Sequence, residues 1–223
     1  MYNVELIFTE LEALQAAGPD LYASLKPECE ELVEQWEWAS GPIYRLEPYW
    51  FELHRRKRGR KLSVRPENIN NQYEYGIDVS GYVVIQRRYI DSGGQTSCEV
   101  TLTVYSSGEI YEYVFDSDET KRLTAVKHAF LTRNRIDRLY VWTEVRVLLT
   151  SYEYEGDQLT HVVEKAWRSR KESRFTLIYD NAQVLDFIVR DCDASVGGPP
   201  SVIYRKTADR LGTLPTQTDG LRN

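Results

Sequence analysis

The spacing of apolar residues near the start of the chain predicts two short helices. Over residues 3–17 one helix face would carry Val4, Ile7, Phe8, Leu11 and Leu14. Gly18-Pro19 is expected to stop this helix. A second helix is expected to begin at Pro27, because proline is tolerated at the first helical position, and to end at Gly41-Pro42. Its apolar positions would be Cys29, Leu32, Val33 and Trp36.

After Gly41 the apolar period changes to two, which indicates antiparallel strands joined by turns. Turn residues cluster at Ser80-Gly81, 91–94 and 106–108. The alternation is clearest over 138–150, which is expected to form one long strand. The other expected strands are 73–90 with a break at the first turn, 98–104, 110–115, 159–166, 175–179, 184–190 and an edge strand at 201–205.

Residues 117–131 admit two interpretations. Asp116 and Glu119 have the spacing of a capping box, and Leu123, Val126 and Phe130 fit one helix face. The same residues could instead form the return strand of a hairpin. The capping box favours the helix.

These elements predict an α+β fold. A helical hairpin over 1–41 would pack on a large, twisted antiparallel sheet over 42–192, a meander able to curl toward a half-barrel. Such curvature would hide the edge strands that a long meander exposes. Residues 193–223 contain a Gly-Gly-Pro-Pro linker, the edge strand and a tail with the composition of a loose segment.

The composition is that of a folded protein with reduced cysteines. Hydrophobic residues make up 42% of the 223 residues, enough for a packed core. Cys29, Cys98 and Cys192 are too few and too widely spaced for a disulfide framework or a zinc site. The first eight residues include Glu5 and no Lys or Arg, and no apolar run approaches the ~18 residues that span a bilayer. We therefore expect a cytoplasmic protein without a signal peptide.

Acidic residues are concentrated at the front of the chain. The net charge is −6 overall, but the first 40 residues hold nine acids and one base, a net −8. On the second predicted helix the carboxylates fall opposite the apolar face, and Trp38 falls on their side. An aromatic residue ringed by carboxylates suits a basic partner. The alternative is that the helix frays and the tryptophan packs into the sheet. The partner-binding residues predicted from this face are Glu30, Glu31, Glu34, Glu37 and Trp38.

The densest positive charge lies between His54 and Lys61. These cations could bind phosphate groups, although the acidic balance of the whole chain is unusual for a nucleic-acid-binding protein. The other interpretations are a solvated loop and pairing with the protein's own acidic helices. The six candidate residues are Arg55, Arg56, Lys57, Arg58, Arg60 and Lys61.

The sequence contains no recognisable catalytic or metal-binding motif. His54, His128 and His161 lie far apart, and none belongs to a metal-binding frame. The acid pairs 116/118 and 191/193 are expected to be turn residues rather than cation ligands. We therefore predict no catalytic residues, metal or cofactor, and favour a protein that is not an enzyme.

Short aromatic hairpins recur along the chain. Tyr111-Glu112-Tyr113 and Tyr152-Glu153-Tyr154 are each followed by a polar turn and a Leu-x-x-Val segment, and 177–185 is a looser copy. The pattern resembles the YD-type hairpin repeats of bacterial Rhs proteins over about a third of the chain, although its copies lack a regular period. The resemblance implies paired hairpins, and with them a strand over 117–131.

Two functional classes follow from these observations. The first is a non-catalytic protein-binding module, for example a bacterial immunity protein or antitoxin that covers a basic toxin with its acidic surface. The alternative is an enzyme or nucleic-acid-acting protein with a site assembled from dispersed residues and a substrate-holding loop at 55–61. His128, His161 and Asp116 would then be the candidates for chemistry.

Overall fold

The computed structural model describes residues 4–166, 171–191 and 200–206. In these ranges the protein is mostly antiparallel sheet, with two helices at its front, which confirms the α+β composition expected from the sequence. The helices are α1 (Val4–Ala16), α2 (Gly18–Glu31) and α3 (Trp50–Leu53).

Thirteen strands form the sheet of the described residues. They are β1 (Gln35–Ala39), β2 (Lys61–Leu62), β3 (Tyr73–Ile77), β4 (Val83–Ser92), β5 (Gln95–Ser106), β6 (Glu109–Phe115), β7 (Leu123–Thr132), β8 (Arg135–Thr143), β9 (Val147–Glu155), β10 (Gln158–Ala166), β11 (Glu172–Tyr179), β12 (Leu185–Arg190) and β13 (Ser201–Arg205). From β3 onward each strand neighbours the next in sequence, whereas β1 lies between β3 and β2. The strand β13 lies at an edge, as expected, and the predicted curl toward a half-barrel stays a prediction.

The chain divides into two compact units. The first comprises residues up to 44, 58–128 and 141–145, and the second comprises 45–57, 129–140 and the residues from 146 onward. The strands β7 and β8 contribute residues to both units.

The sheet of the first unit is covered on both faces. On one face α2 packs against the strands, and the ring of Tyr22 meets Phe115 edge-on with centroids 5.0 Å apart. On the other face the segment that follows β1 covers a buried cluster. That cluster consists of Ala39, Tyr73, Tyr75, Ile77 and Val83, with Ile43 and Tyr44 packed against it.

One face of the sheet in the second unit forms a core of alternating side chains. Period-two alternation places large apolar residues of four successive strands on this face. These buried residues are Tyr152, Val162, Phe175, Leu177 and Ile188. In the same unit, the Arg55 guanidinium that follows α3 donates to the Val202 carbonyl of β13 at 3.4 Å.

The second helix predicted from the sequence is wrong at both ends. The structure begins α2 at Gly18, because Pro19 lies in the first turn, where helical N–H groups have no intrahelical partner. Pro27 is inside α2, and the helix ends at Glu31. Residues 35–39, predicted as helix, form β1. The Trp-Glu-Trp alternation of this segment has the period of a strand.

The helix favoured over 117–131 is also wrong, because residues 123–132 form β7. The Asp116 carboxylate accepts the Arg122 N–H at 3.0 Å and so closes a turn instead of capping a helix. His128, Ala129 and Phe130 are all buried, so β7 is covered on both faces. A strand of this kind has no polar face, and its apolar positions can imitate helical spacing.

The single long strand predicted over 138–150 is two strands in the structure. The strand β8 ends at Thr143 and β9 begins at Val147. Val145, between them, is 89% exposed. The alternation of apolar and polar residues continues across the break between β8 and β9, and no Gly or Pro marks that break. The expected linker at 197–199 and the tail after residue 206 lie outside the described residues.

Candidate functional site

The exposed aromatic residue near the acidic front end is Trp36, which is 41% exposed. Its cross-strand partner in β3 is Gly76. A Cβ added at Gly76 would lie 2.7 Å from the Val33 side chain and 3.2 Å from the indole ring. The missing side chain therefore lets the indole lie directly on the β3 backbone.

Arg87 of β4 holds the indole from another side. Its guanidinium carbon lies 4.4 Å from the centroid of the Trp36 ring. The same guanidinium donates to Glu74 and to Glu30, both at 2.9 Å. Burial lowers the pKa of Arg87, but the hydrogen bond to Glu74 and its charge more than offset this and raise the pKa overall. The indole is thus held in one pose while part of it stays exposed.

We give the name acidic surface to this indole and the exposed acidic and apolar residues that closely precede it in the chain. The chain here is anchored because the Glu34 N–H donates to the Ile77 carbonyl at 2.8 Å. Leu32 is 57% exposed, and the neighbouring carboxylate side chains also reach solvent. An apolar centre with an acidic rim suits a partner that presents basic and apolar groups together. The acidic surface consists of Glu30, Glu31, Leu32, Glu34 and Trp36.

Two of the predicted partner-binding residues lie in the interior. Trp38 is only 8% exposed and stacks on Tyr89 with centroids 5.5 Å apart. Glu37 is buried on the opposite face, where its carboxylate accepts from Lys61 and from the Tyr44 hydroxyl. Burial, and then the Glu37 charge, raise the pKa of Tyr44 to about 12. The prediction of an exposed Trp38 is therefore wrong, and the alternative, that this tryptophan packs into the sheet, is confirmed.

Sequence reasoning missed Trp36 and Leu32 because a helical projection placed both on a buried face. The signal that could have found Trp36 is the alternation of β1, which assigns Trp36 and Trp38 to one face and Glu37 to the other. Alternation alone does not show which of the two tryptophans is covered, because that depends on what packs above each.

The cations of the basic run are exposed but partly engaged. In the second unit, Arg55 donates to a β13 carbonyl. In the first unit, Arg58 donates to the Ile43 carbonyl at 3.4 Å, and Lys61 pairs with Glu37. Arg56, Lys57 and Arg60 are exposed. The pairing of Lys61 with an acid of the front segment agrees with one of the interpretations of this run.

The described histidines His54 and His161 and the thiol of Cys98 each contact nearby aromatic, acidic or carbonyl groups. His54 stacks on Trp50, and His161 lies 3.6 Å from a Glu153 oxygen. The Cys98 thiol donates a weak hydrogen bond to the Glu99 carbonyl. Burial raises the pKa of this thiol, which disfavours the nucleophilic thiolate. Cys192 and Asp193 lie outside the described residues. Among the described residues no group of three metal-ligating side chains occurs.

In the first unit, the buried His128 pairs with Glu109. Its Nε2 lies 3.1 Å from the Glu109 Oε2, and its ring stacks on Tyr111 with centroids 3.9 Å apart. Burial lowers the pKa of His128, and the hydrogen bond to Glu109 only partly offsets that effect. A neutral imidazole is therefore favoured in the folded protein.

The stability of the protein should depend on the protonation of His128. Its folded-state pKa lies below the ordinary value of ~6.5, so the unfolded chain binds more protons than the folded protein as the pH falls. The contribution is complete above pH ~6.5 and is lost below it, by at most about 1.4 kcal/mol per pH unit. Urea unfolding above and below this pH should show that the free energy of unfolding falls less with decreasing pH for His128→Gln than for wild type. Equal declines would contradict this assignment.

No helix in the described residues is long and apolar enough to cross a membrane. No protein-family model matches the chain, and no curated protein matches it either. Among solved structures, the chain is similar to a porin-like protein from Bacteroides uniformis ATCC 8492, with 15% identity and a TM-score of 0.42. The match covers 55% of this chain and 49% of that protein, so the chain spans about half of its length. A likeness of this size carries no argument about function, and the resemblance to YD-type repeats stays a prediction.

Proposed function

We propose that this protein is a non-catalytic binding module that recognises a basic protein through the acidic surface. The observation that carries the proposal is the exposed indole of Trp36, which Gly76 and Arg87 hold in place. A large aromatic side chain held in one pose loses little conformational entropy on binding, which is typical of interface hot spots.

The acidic rim supports a basic partner in particular. Glu31 and Glu34 are exposed beside the apolar centre, whereas Glu30 is shared with Arg87 and lies 3.8 Å from Lys26. Exposed rim charges accelerate association with an oppositely charged partner and exclude acidic ones. A bacterial immunity protein or antitoxin that covers a cationic toxin is the specific form of this proposal. The cytoplasmic location stays a prediction.

The alternative function, an enzyme or nucleic-acid-acting protein with its substrate held by residues 55–61, has weaker support. Lys61 is engaged with Glu37, and His128 is buried beneath Tyr111. A catalytic base must come within hydrogen-bond distance of its substrate. The burial of His128 therefore argues against this role.

Affinity capture from the native host's lysate tests the proposal. The baits are wild type, Trp36→Ala/Glu34→Lys and the control Val64→Ala/Glu67→Lys, which changes an exposed apolar residue and an exposed acid elsewhere in the first unit. Wild type and the control should retain one basic protein in stoichiometric amount, and the first variant should not. The purified partner should bind Trp36→Ala about 30-fold more weakly, a change of about 2 kcal/mol.

Three results would contradict the proposal: capture of the same protein by all three baits, capture of an acidic protein, or recovery of nucleic acid alone. Co-expression provides a separate test of the antagonist form. Wild type should protect cells from a toxic partner, and the Trp36 variant should protect them less.

A further inference from the structure

A cavity of about 300 Å³ opens in the second unit. It lies on the sheet face that carries the core of this unit, next to the edge of that core. Among the described residues, its lining includes three basic side chains and one carboxylate, a net charge of +2. The lining residues are Arg146, Leu148, Glu164, Ala166, Lys171, Ser173 and Arg190.

The strand register explains why these side chains converge. Leu148 of β9 lies opposite Ala166 of β10, and Glu164 lies opposite Ser173 of β11. Arg190 of β12 lies opposite Phe175, whose buried side chain belongs to the core of this unit. Period-two alternation therefore directs all of them to one face.

Arg190 is oriented by its neighbours. One of its terminal nitrogens donates to the Ser173 hydroxyl at 2.8 Å, and its guanidinium carbon lies 5.9 Å from the centroid of Phe175. The backbone of Lys171 is fixed nearby, because its carbonyl accepts the Ala166 N–H at 2.8 Å. An arginine has five N–H donors in a rigid fork that fits phosphate and carboxylate oxygens.

We propose that this cavity binds a small molecule that carries two or more negative charges, such as a phosphorylated or polycarboxylate metabolite. The net positive lining provides the charge complement, and Arg190 provides the directed hydrogen bonds. The volume lies at the lower end of the range for small-molecule sites, which favours a metabolite over a polymer. This site lies in the second unit and does not depend on the acidic surface.

Calorimetric titration of the full chain with inorganic pyrophosphate tests the inference. Wild type should bind one pyrophosphate per chain, and the affinity should fall as salt is added. Arg190→Gln and Lys171→Gln should each weaken binding about fivefold or more, because each removes a positive charge from the wall. Glu164→Gln should strengthen binding several-fold, because it removes the negative charge of the described lining. This opposite sign separates a direct charge effect from general damage to the fold.

The matched control is Arg174→Gln. Arg174 neighbours Ser173 in β11, but alternation directs it to the other face of the sheet, where it pairs with Glu153 at 3.0 Å. Its removal should leave pyrophosphate affinity unchanged. Absence of binding at millimolar pyrophosphate, or equal affinities for wild type and the Arg190 and Glu164 variants, would overturn the inference. Binding of a single-stranded oligonucleotide that requires Arg190, without binding of pyrophosphate, would also overturn it and favour a nucleic-acid ligand.

Discussion

Truncation of Phe115 to alanine should lower the free energy of unfolding by about 3–5 kcal/mol. Phe115 is 0% exposed and lies in β6, opposite Val100 of β5. Tyr22 of α2 packs edge-on against its ring. The substitution removes apolar contacts within the sheet together with part of the surface on which α2 lies, and the neighbours of a packed core relax only partly into the cavity.

Urea unfolding followed by circular dichroism measures this effect. Phe115→Leu, which keeps most of the volume, should cost about 1.5 kcal/mol or less. Val79→Ala, at an exposed turn position of the same unit, should change stability by less than about 0.5 kcal/mol. A loss for Phe115→Ala no larger than that of the leucine variant would show that Phe115 does not support the packing of α2.

Gly59→Ala should destabilise the protein by about 3 kcal/mol, although it adds only one methyl group. A Cβ at Gly59 would lie 2.3 Å from the carbonyl oxygen of Gly41. The two backbones are held together on either side of this point. The Gly59 N–H donates to the Pro42 carbonyl at 2.8 Å, and the Ser40 N–H donates to the Arg60 carbonyl at 3.0 Å. The clash is with backbone atoms, so a change of rotamer cannot relieve it.

Gly41→Ala is the matched control for this prediction. A Cβ at Gly41 would lie 3.3 Å from the Cα of Gly59, a contact that a small shift relieves. Both substitutions reduce the entropy of the unfolded chain by the same amount, so the difference between them isolates the clash. Thermal or urea unfolding should rank wild type and Gly41→Ala well above Gly59→Ala. Equal stability of the two variants would mean that the backbones do not approach this closely.

The strand regions with clear turn chemistry could be predicted from the sequence. The turns at Ser80-Gly81, 91–94 and 106–108 all join adjacent strands in the structure, and Gly81, Gly93, Gly94 and Gly108 have positive φ angles that glycine adopts without strain. The hairpin from β11 to β12 was predicted from its strands and the polar turn between them, and the edge strand β13 was also predicted. Local chemistry is sufficient there, because a two- or three-residue turn sets the pairing of its own flanks.

The candidate site could be predicted only in part. Glu30, Glu31 and Glu34 were identified from the charge pattern and are exposed in the structure, whereas Glu37 and Trp38 are buried. The cationic cavity has no local signal, because Glu164, Ser173 and Arg190 come from different strands and meet only through the strand register, while Arg146 lies just before β9.

The sequence by itself determined the period-two meander, its turns and the acidic front end, because these depend on residues that are neighbours along the chain. The tertiary structure decided whether 123–132 is a strand, since apolar spacing no longer reports a period once a strand is covered on both faces. It also decided which tryptophan reaches solvent. Trp36 lies over Gly76 and stays partly exposed, whereas Trp38 is covered by Tyr89, and only the packing of distant segments distinguishes the two.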